Sequence, residues 1–313
     1  MPLAAIDCVR RGTASLRANW ELVLAQWLAT LIVVTLTLGG IVPVLAALGL
    51  LDFSALPSTL PDVEGWLRDL AARLGEVGPA LVAALAGTLA IWTLAFLAHC
   101  FFQGGIYGVL AAAERQAPGG VPRDPRLFRT FSWRDLFGWG GRNLWRFFWL
   151  YNLFAAIFLV IVLAGALLAV LAVAAADRWG GPAAVGIGCG GALPLFFAAV
   201  VLGLWLILAQ ADLGQVDSNL GIAARRGWRV LTGRLGAVLL ICLLAAIGSL
   251  AVGLVFAPFD IGLQMAVGDS LPLKLGLRLA LELVQALVAG IVSIALAGSY
   301  VALVRTAAAE RPA

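Results

Sequence analysis

Leu153-Phe-Ala-Ala-Ile-Phe-Leu-Val-Ile-Val-Leu-Ala-Gly-Ala-Leu-Leu-Ala-Val-Leu-Ala-Val-Ala-Ala-Ala176 is a run of 24 residues without one charged or hydrogen-bonding side chain. A helix needs about 20 mostly apolar residues to cross the hydrocarbon core of a bilayer, so this stretch reads as a membrane span. It is entered through the aromatic cluster Phe147, Phe148 and Trp149 and is stopped by Asp177. The rest of the chain has the same character. Of 313 residues, 62 % are hydrophobic and 12 % charged, with a mean hydropathy of +1.01, whereas a soluble domain carries about 25 % charged residues. That excludes a soluble globule and a disordered chain, and four cysteines are too sparse for a disulfide scaffold.

Five more apolar runs of spanning length lie around the first, and the spans are predicted over 22–51, 79–107, 147–176, 183–209, 235–257 and 275–304. The first is too long for one straight crossing, and Gly39, Gly40 and Pro43 offer the place for it to kink or stop. Pro194 predicts a kink in the fourth. A spanning segment must satisfy its own backbone hydrogen bonds, and none of the six shows the alternation of barrel strands. The expected fold class is all-α: a single polytopic membrane domain over 1–313, six transmembrane helices paired as three hairpins.

Basic residues set orientation, because Arg and Lys are retained on the cytoplasmic side. Of the 21, 16 fall in the termini and in the loops after the second and fourth spans, and five (Arg68, Arg73, Arg178, Lys274, Arg278) fall on the other side. Both termini are therefore expected in the cytoplasm, with the first span a retained anchor rather than a cleaved signal. The external segment from Asp52 to Glu76 repeats Val63, Trp66, Leu67, Leu70 and Leu74 at helical spacing, which predicts a short amphipathic helix on the outer surface. Twenty of the 21 basic residues are Arg, a bias that fits a GC-rich bacterial genome, hence a bacterial inner membrane.

A weak repeat runs through the chain. Arg17-Ala-Asn-Trp20, Arg142-Asn-Leu-Trp145 and Arg226-Gly-Trp228 each feed an odd-numbered span. Gly105-Ile-Tyr107 and Gly298-Ser-Tyr300 close the second and sixth spans, while the fourth ends in Gln210-Ala-Asp212. The pattern suggests three hairpins, each preceded by a basic, aromatic segment at the cytoplasmic interface. Arg123, Arg126, Arg129, Trp133 and Arg134 belong to one such segment and are expected to contact lipid headgroups rather than nucleic acid.

Polar residues inside spans are the natural candidates for function. On the second span Thr88, Trp92, His99, Gln103 and Tyr107 share a helical face; on the fourth, Gln210, Gly214 and Asp217 do, with Asp212 nearby; on the sixth, Arg278, Glu282 and Gln285 do, and the face continues to Ser293 and Tyr300. These stripes are expected to point inward. They read as interhelical hydrogen bonds with a self-neutralising Arg278–Glu282 pair, or alternatively as a polar path for an ion or ligand through His99, Gln103, Tyr107, Gln210, Asp212, Glu282, Gln285 and Tyr300. No metal or cofactor is expected: His99 has no second His, and Cys8, Cys100, Cys189 and Cys242 have no metal-ligand spacing and read as buried apolar groups. Gly186 and Gly190 form a small-xxx-small pair suited to a second copy or to a neighbouring helix. No GxSxG, HExxH or P-loop motif occurs, so no catalytic residue is assigned.

The stretch from Phe101-Phe-Gln-Gly-Gly-Ile-Tyr-Gly-Val-Leu110 to Trp145-Arg-Phe-Phe-Trp-Leu-Tyr151 resembles the bacterial six-span membrane domains related to that of certain glycerophosphodiester phosphodiesterases. The resemblance implies a membrane domain without the phosphodiesterase chemistry, which resides in a separate domain of those proteins. The expected role is a non-enzymatic scaffold or accessory subunit linked to lipid handling, with membrane lipids and a homo-oligomer or complex partner around it. The alternatives are a small-solute or lipid transporter and an intramembrane enzyme acting on lipid headgroups.

Overall fold

The computed structural model describes residues 5–47, 78–117, 124–215, 218–266 and 271–309. In chain order they form α1 (Ala5–Ala18), α2 (Glu21–Ala47), α3 (Gly78–Gln116), a 3-10 turn (Pro125–Phe128), α4 (Trp133–Trp179), α5 (Gly181–Leu213), α6 (Leu220–Gly233), α7 (Leu235–Ala266) and α8 (Leu271–Ala309). No strand occurs among the described residues. Among the described residues six helices are long and apolar enough to cross a membrane: α2, α3, α4, α5, α7 over Leu235–Phe259 and α8 over Gly276–Ala309. The predicted amphipathic helix between Asp52 and Glu76, together with Arg123 and Asp217, lies outside the described residues.

The decisive stretch sits in α4, where no residue of the most apolar 18-residue window is buried. Leu159, Val160, Leu163, Val170 and Val173 are all exposed. In water that surface would drive aggregation; in lipid it is the ordinary outside of a spanning helix. The chain is an all-α, multi-pass integral membrane protein.

At 47 residues, α4 is about 70 Å long at 1.5 Å per residue, more than twice the hydrocarbon thickness. The basic aromatic segment expected as a separate interfacial helix is thus, from Trp133 onward, the first turns of α4 itself. Ser132 starts the helix by accepting the Asp135 amide at 3.0 Å while its hydroxyl donates to the Asp135 carboxylate at 2.7 Å, a reciprocal cap. Gly138, Gly140 and Gly141 do not break it, because a helical glycine costs only about 1 kcal/mol and close packing at Gly140 offsets that. The helix ends at Gly180, the one described residue with positive φ, 85°, and α5 starts at once, so α4 and α5 pack as a hairpin.

The contacts divide the chain into two units, Trp27–His99 and the remainder. In the first, α2 continues through Gly39, Gly40 and Pro43 to Ala47, so of the kink or stop expected there the helix does not stop. Thr88 donates its hydroxyl to the Gly40 carbonyl at 2.5 Å, and the Trp92 indole donates to the Thr37 carbonyl at 3.1 Å. A side chain at Gly40 would collide with the Trp92 ring at 2.8 Å. Partner-helix side chains thus support the backbone around the proline, as tolerated prolines in membrane helices require. Likewise α5 runs as one helix through Pro194.

In the second unit one arrangement recurs three times. The segment before each odd-numbered span lies across the end of an even-numbered span, and glycine makes each crossing. On α8, a β-carbon at Gly12 of α1 would stand 2.5 Å from the Ala295 carbonyl oxygen, and one at Gly298 would stand 3.1 Å from the Gly12 Cα. On α3, a β-carbon at Gly105 would lie 2.6 Å from the Leu136 carbonyl oxygen, and one at Gly140 would lie 2.9 Å from that of Phe101. On α5, one at Gly227 of α6 would lie 3.0 Å from the Ala209 amide nitrogen. Only a hydrogen side chain lets backbones approach so closely.

Candidate functional site

The polar stripes are largely tied down inside their own neighbourhoods. Gln103 donates its amide to the Gln26 side chain at 3.1 Å. Tyr107 is buried, its ring 5.9 Å from that of Phe147, and Gly214 is pressed against its backbone. Gln210 donates to the Tyr151 hydroxyl at 3.2 Å. Tyr300 is fully enclosed and donates its hydroxyl to the Val238 carbonyl at 3.3 Å. His99 is half-buried.

Asp212 is 0 % exposed. One carboxylate oxygen accepts the Ser218 hydroxyl at 2.5 Å, and the other lies 3.6 Å from an Arg226 nitrogen. A buried carboxylate needs this combination of charge partner and hydrogen bond. It joins the end of α5 to α6.

The sixth-span stripe does not point inward as a whole. Arg278 Nε is 3.2 Å from Glu282 Oε1, and these side chains are 66 % and 58 % exposed. Ser293 is exposed too, Gln285 half-buried, and only Tyr300 is enclosed. Residues at three- and four-residue spacing share a broad face, but α8 turns only the part near Tyr300 toward neighbours. The Arg278–Glu282 pair neutralises itself on the outside of the helix.

The expected headgroup contacts also divide. Arg126, Trp133 and Arg134 are exposed. Arg129 is exposed as well, but it donates to the Ala18 carbonyl at 2.6 Å and grips both Glu21 carboxylate oxygens, at 3.0 and 2.5 Å. It is a structural tie between the 3-10 turn and the α1–α2 junction. Of the cysteines, Cys8 and Cys100 are buried and Cys242 half-buried, but Cys189 is exposed. On α5 a β-carbon at Gly186 or Gly190 would meet nothing within 4 Å, so that small-residue pair faces outward and packs against no helix among the described residues. Among the described residues no cluster of His, Cys, Asp and Glu could hold a metal ion.

Sequence reasoning missed two linkages. Asn19 donates to the Ser15 and Phe128 carbonyls at 3.0 and 2.8 Å and accepts the Thr130 and Phe131 amides at 2.9 and 2.8 Å, which uses its whole side chain as a clasp. Arg11 and Glu114 form a buried ion pair, Nε to Oε1 2.7 Å, with 3 % and 5 % exposure, and the guanidinium stands 5.2 Å from the Phe128 ring centre. A signal for the second was present. Arg11-Gly12 and Arg226-Gly227 place the same dipeptide on two amphipathic helices; each arginine reaches a buried carboxylate at the end of an even-numbered span, and each glycine makes the crossing. Comparison with protein-family models, curated proteins and solved structures gives no match.

Proposed function

We propose that the chain is a non-enzymatic membrane scaffold or accessory subunit, linked to lipid handling, in a bacterial inner membrane with both termini cytoplasmic. The resemblance to stand-alone membrane domains of glycerophosphodiester phosphodiesterases is part of the same reading. The observation that carries it is how the polar side chains are used: Gln103, Gln210, Asp212 and Tyr300 are bonded to fixed partners between helices, while Glu282 pairs with Arg278 on the outside. Interhelical bonds of this kind hold a bundle together at about 0.6 kcal/mol each. A transporter of a solute or lipid would instead keep such groups open to water in turn from each side.

Single cysteines placed at Gln103 and Gln210 in a chain free of native cysteines separate these readings. The scaffold predicts that neither reacts with a membrane-impermeant maleimide from either face of sealed vesicles. Labelling from one face would favour the transporter. An alkaline phosphatase fusion at Arg129 should be inactive, and an active one would overturn the orientation.

A further inference from the structure

Helix α6 joins the end of one span, α5, to the start of another, α7, so it lies where hydrocarbon gives way to headgroups. Its face toward the protein is occupied by Ala223, Gly227, Val230 and Leu231, all buried. The opposite face presents Arg225, Trp228 and Arg229, all exposed. Among the described residues neither Arg225 nor Arg229 has a carboxylate within ion-pair reach, whereas Arg226 is held by Asp212 and Arg234 donates to the Thr306 hydroxyl.

Two grooves flank that face. One, of about 690 Å³, is lined by Trp205, Ala224, Arg225, Trp228 and Arg229. The other, of about 460 Å³, runs between α6 and the end of α8 and is lined by Arg226, Arg229 and Arg234 with Val304 and Ala307. Arg229 borders both. The first has an aromatic wall: Trp205 and Trp228 meet edge to face with centroids 5.4 Å apart, and the Trp205 N–H is spent on the Ala224 carbonyl at 2.8 Å. Trp205 precedes the end of α5 by eight residues, which places it about 12 Å further along the helix toward the hydrocarbon.

We infer that the first groove binds one anionic phospholipid, with its phosphate between Arg225 and Arg229 and the first carbons of an acyl chain along Trp205 and Trp228. Two arginines without acidic partners complement a phosphate, which accepts their planar donors well. The tryptophan wall, running toward the hydrocarbon, selects an amphiphile over a soluble anion, because it offers apolar contact that a free phosphate has no means to use. The site needs only that the chain is embedded in a membrane, and it stands or falls separately from the scaffold reading.

Native mass spectrometry of the full chain in detergent tests it, with dioleoyl phosphatidylglycerol, dioleoyl phosphatidylcholine and glycerol phosphate in separate arms. Phosphatidylglycerol should give a saturable single adduct, phosphatidylcholine a weaker one and glycerol phosphate none. Arg225→Gln with Arg229→Gln should weaken the phosphatidylglycerol adduct by roughly thirtyfold, given the attraction of an interfacial arginine for anionic lipid. Trp228→Ala should weaken it with both arginines intact. Arg126→Gln with Arg134→Gln, exposed residues that line neither groove, should reduce only weak further adducts and leave the saturable one unchanged. Equal retention by the Arg225/Arg229 variant, equal loss in the Arg126/Arg134 variant, or equal binding of glycerol phosphate would each overturn the proposal. Unchanged thermal unfolding of every variant is the control for folding, and Trp228→Phe substitutes for Trp228→Ala if the latter unfolds.

Discussion

Replacing Glu114 by Gln isolates the buried ion pair that fastens α1 to α3. Arg11 and Glu114 are nearly inaccessible, at 3 % and 5 %, and meet at 2.7 Å. Removing one charge leaves the other in a region that cannot solvate it, which costs about 3–5 kcal/mol. The Phe128 ring 5.2 Å from the guanidinium returns at most about 2 kcal/mol and is present in both proteins, so it does not offset the loss. The exposed Arg278–Glu282 pair is an internal comparison: at 66 % and 58 % exposure, Glu282→Gln should cost no more than about 0.5 kcal/mol. Equilibrium unfolding of the detergent-solubilised protein measures both. The double variant Arg11→Met with Glu114→Leu should recover most of the loss, because a well-packed apolar pair of similar volume replaces a buried ion pair at little cost. If Glu114→Gln costs as little as Glu282→Gln, or the double variant is worse than the single, the reasoning about burial is wrong.

Other substitutions probe the crossings and the clasp. Gly105→Val and Gly227→Val force a side chain into contacts of 2.6 and 3.0 Å and should each destabilise by at least about 1–3 kcal/mol, whereas Gly186→Val, in open space, should unfold at the wild-type temperature. Asn19→Ala leaves the Thr130 and Phe131 amides and the Phe128 carbonyl without their partner and should cost about 2–4 kcal/mol in the same unfolding assay. Burial, with Glu114 adding to it, pushes the Cys8 thiol up to about 11. At pH 8 only about one molecule in a thousand would carry the reactive thiolate, so iodoacetamide should spare Cys8 until the protein unfolds, as peptide mass spectrometry would read directly; rapid native alkylation would contradict it.

The spans were legible because lipid leaves a helix no alternative to continuous apolarity, and stretches such as Leu153–Ala176 cannot be read otherwise. The pairing of α4 with α5 was expected as one of the three hairpins, and the chain makes it with a single-residue break at Gly180. The direction of the polar stripes was not legible. Spacing puts Arg278, Glu282 and Tyr300 on one broad face, but only packing decides that Tyr300 is enclosed while the ion pair faces outward. Of the glycines near Trp139, only Gly140 approaches α3, where a β-carbon would lie 2.9 Å from the Phe101 carbonyl oxygen, while Gly138 and Gly141 meet nothing within 4 Å; the sequence alone does not say which of the three makes the contact. Arg11 and Glu114 are 103 residues apart, and no local pattern pairs them. The Arg-Gly dipeptides of α1 and α6 were the readable trace of that architecture, whereas the Arg-to-Trp spacing emphasised anchoring at the interface.

Nitroxide labels at Val170 and Gln210 in reconstituted vesicles test the central claim, that the apolar helix faces meet lipid while the polar side chains are closed off between helices. Val170 is 65 % exposed and Gln210 is 7 % exposed. The account predicts that the Val170 label collides freely with oxygen and not with a water-soluble nickel complex, and that the Gln210 label is shielded from both. A Gln210 label open to the nickel complex, or a Val170 label bathed in water, would contradict it.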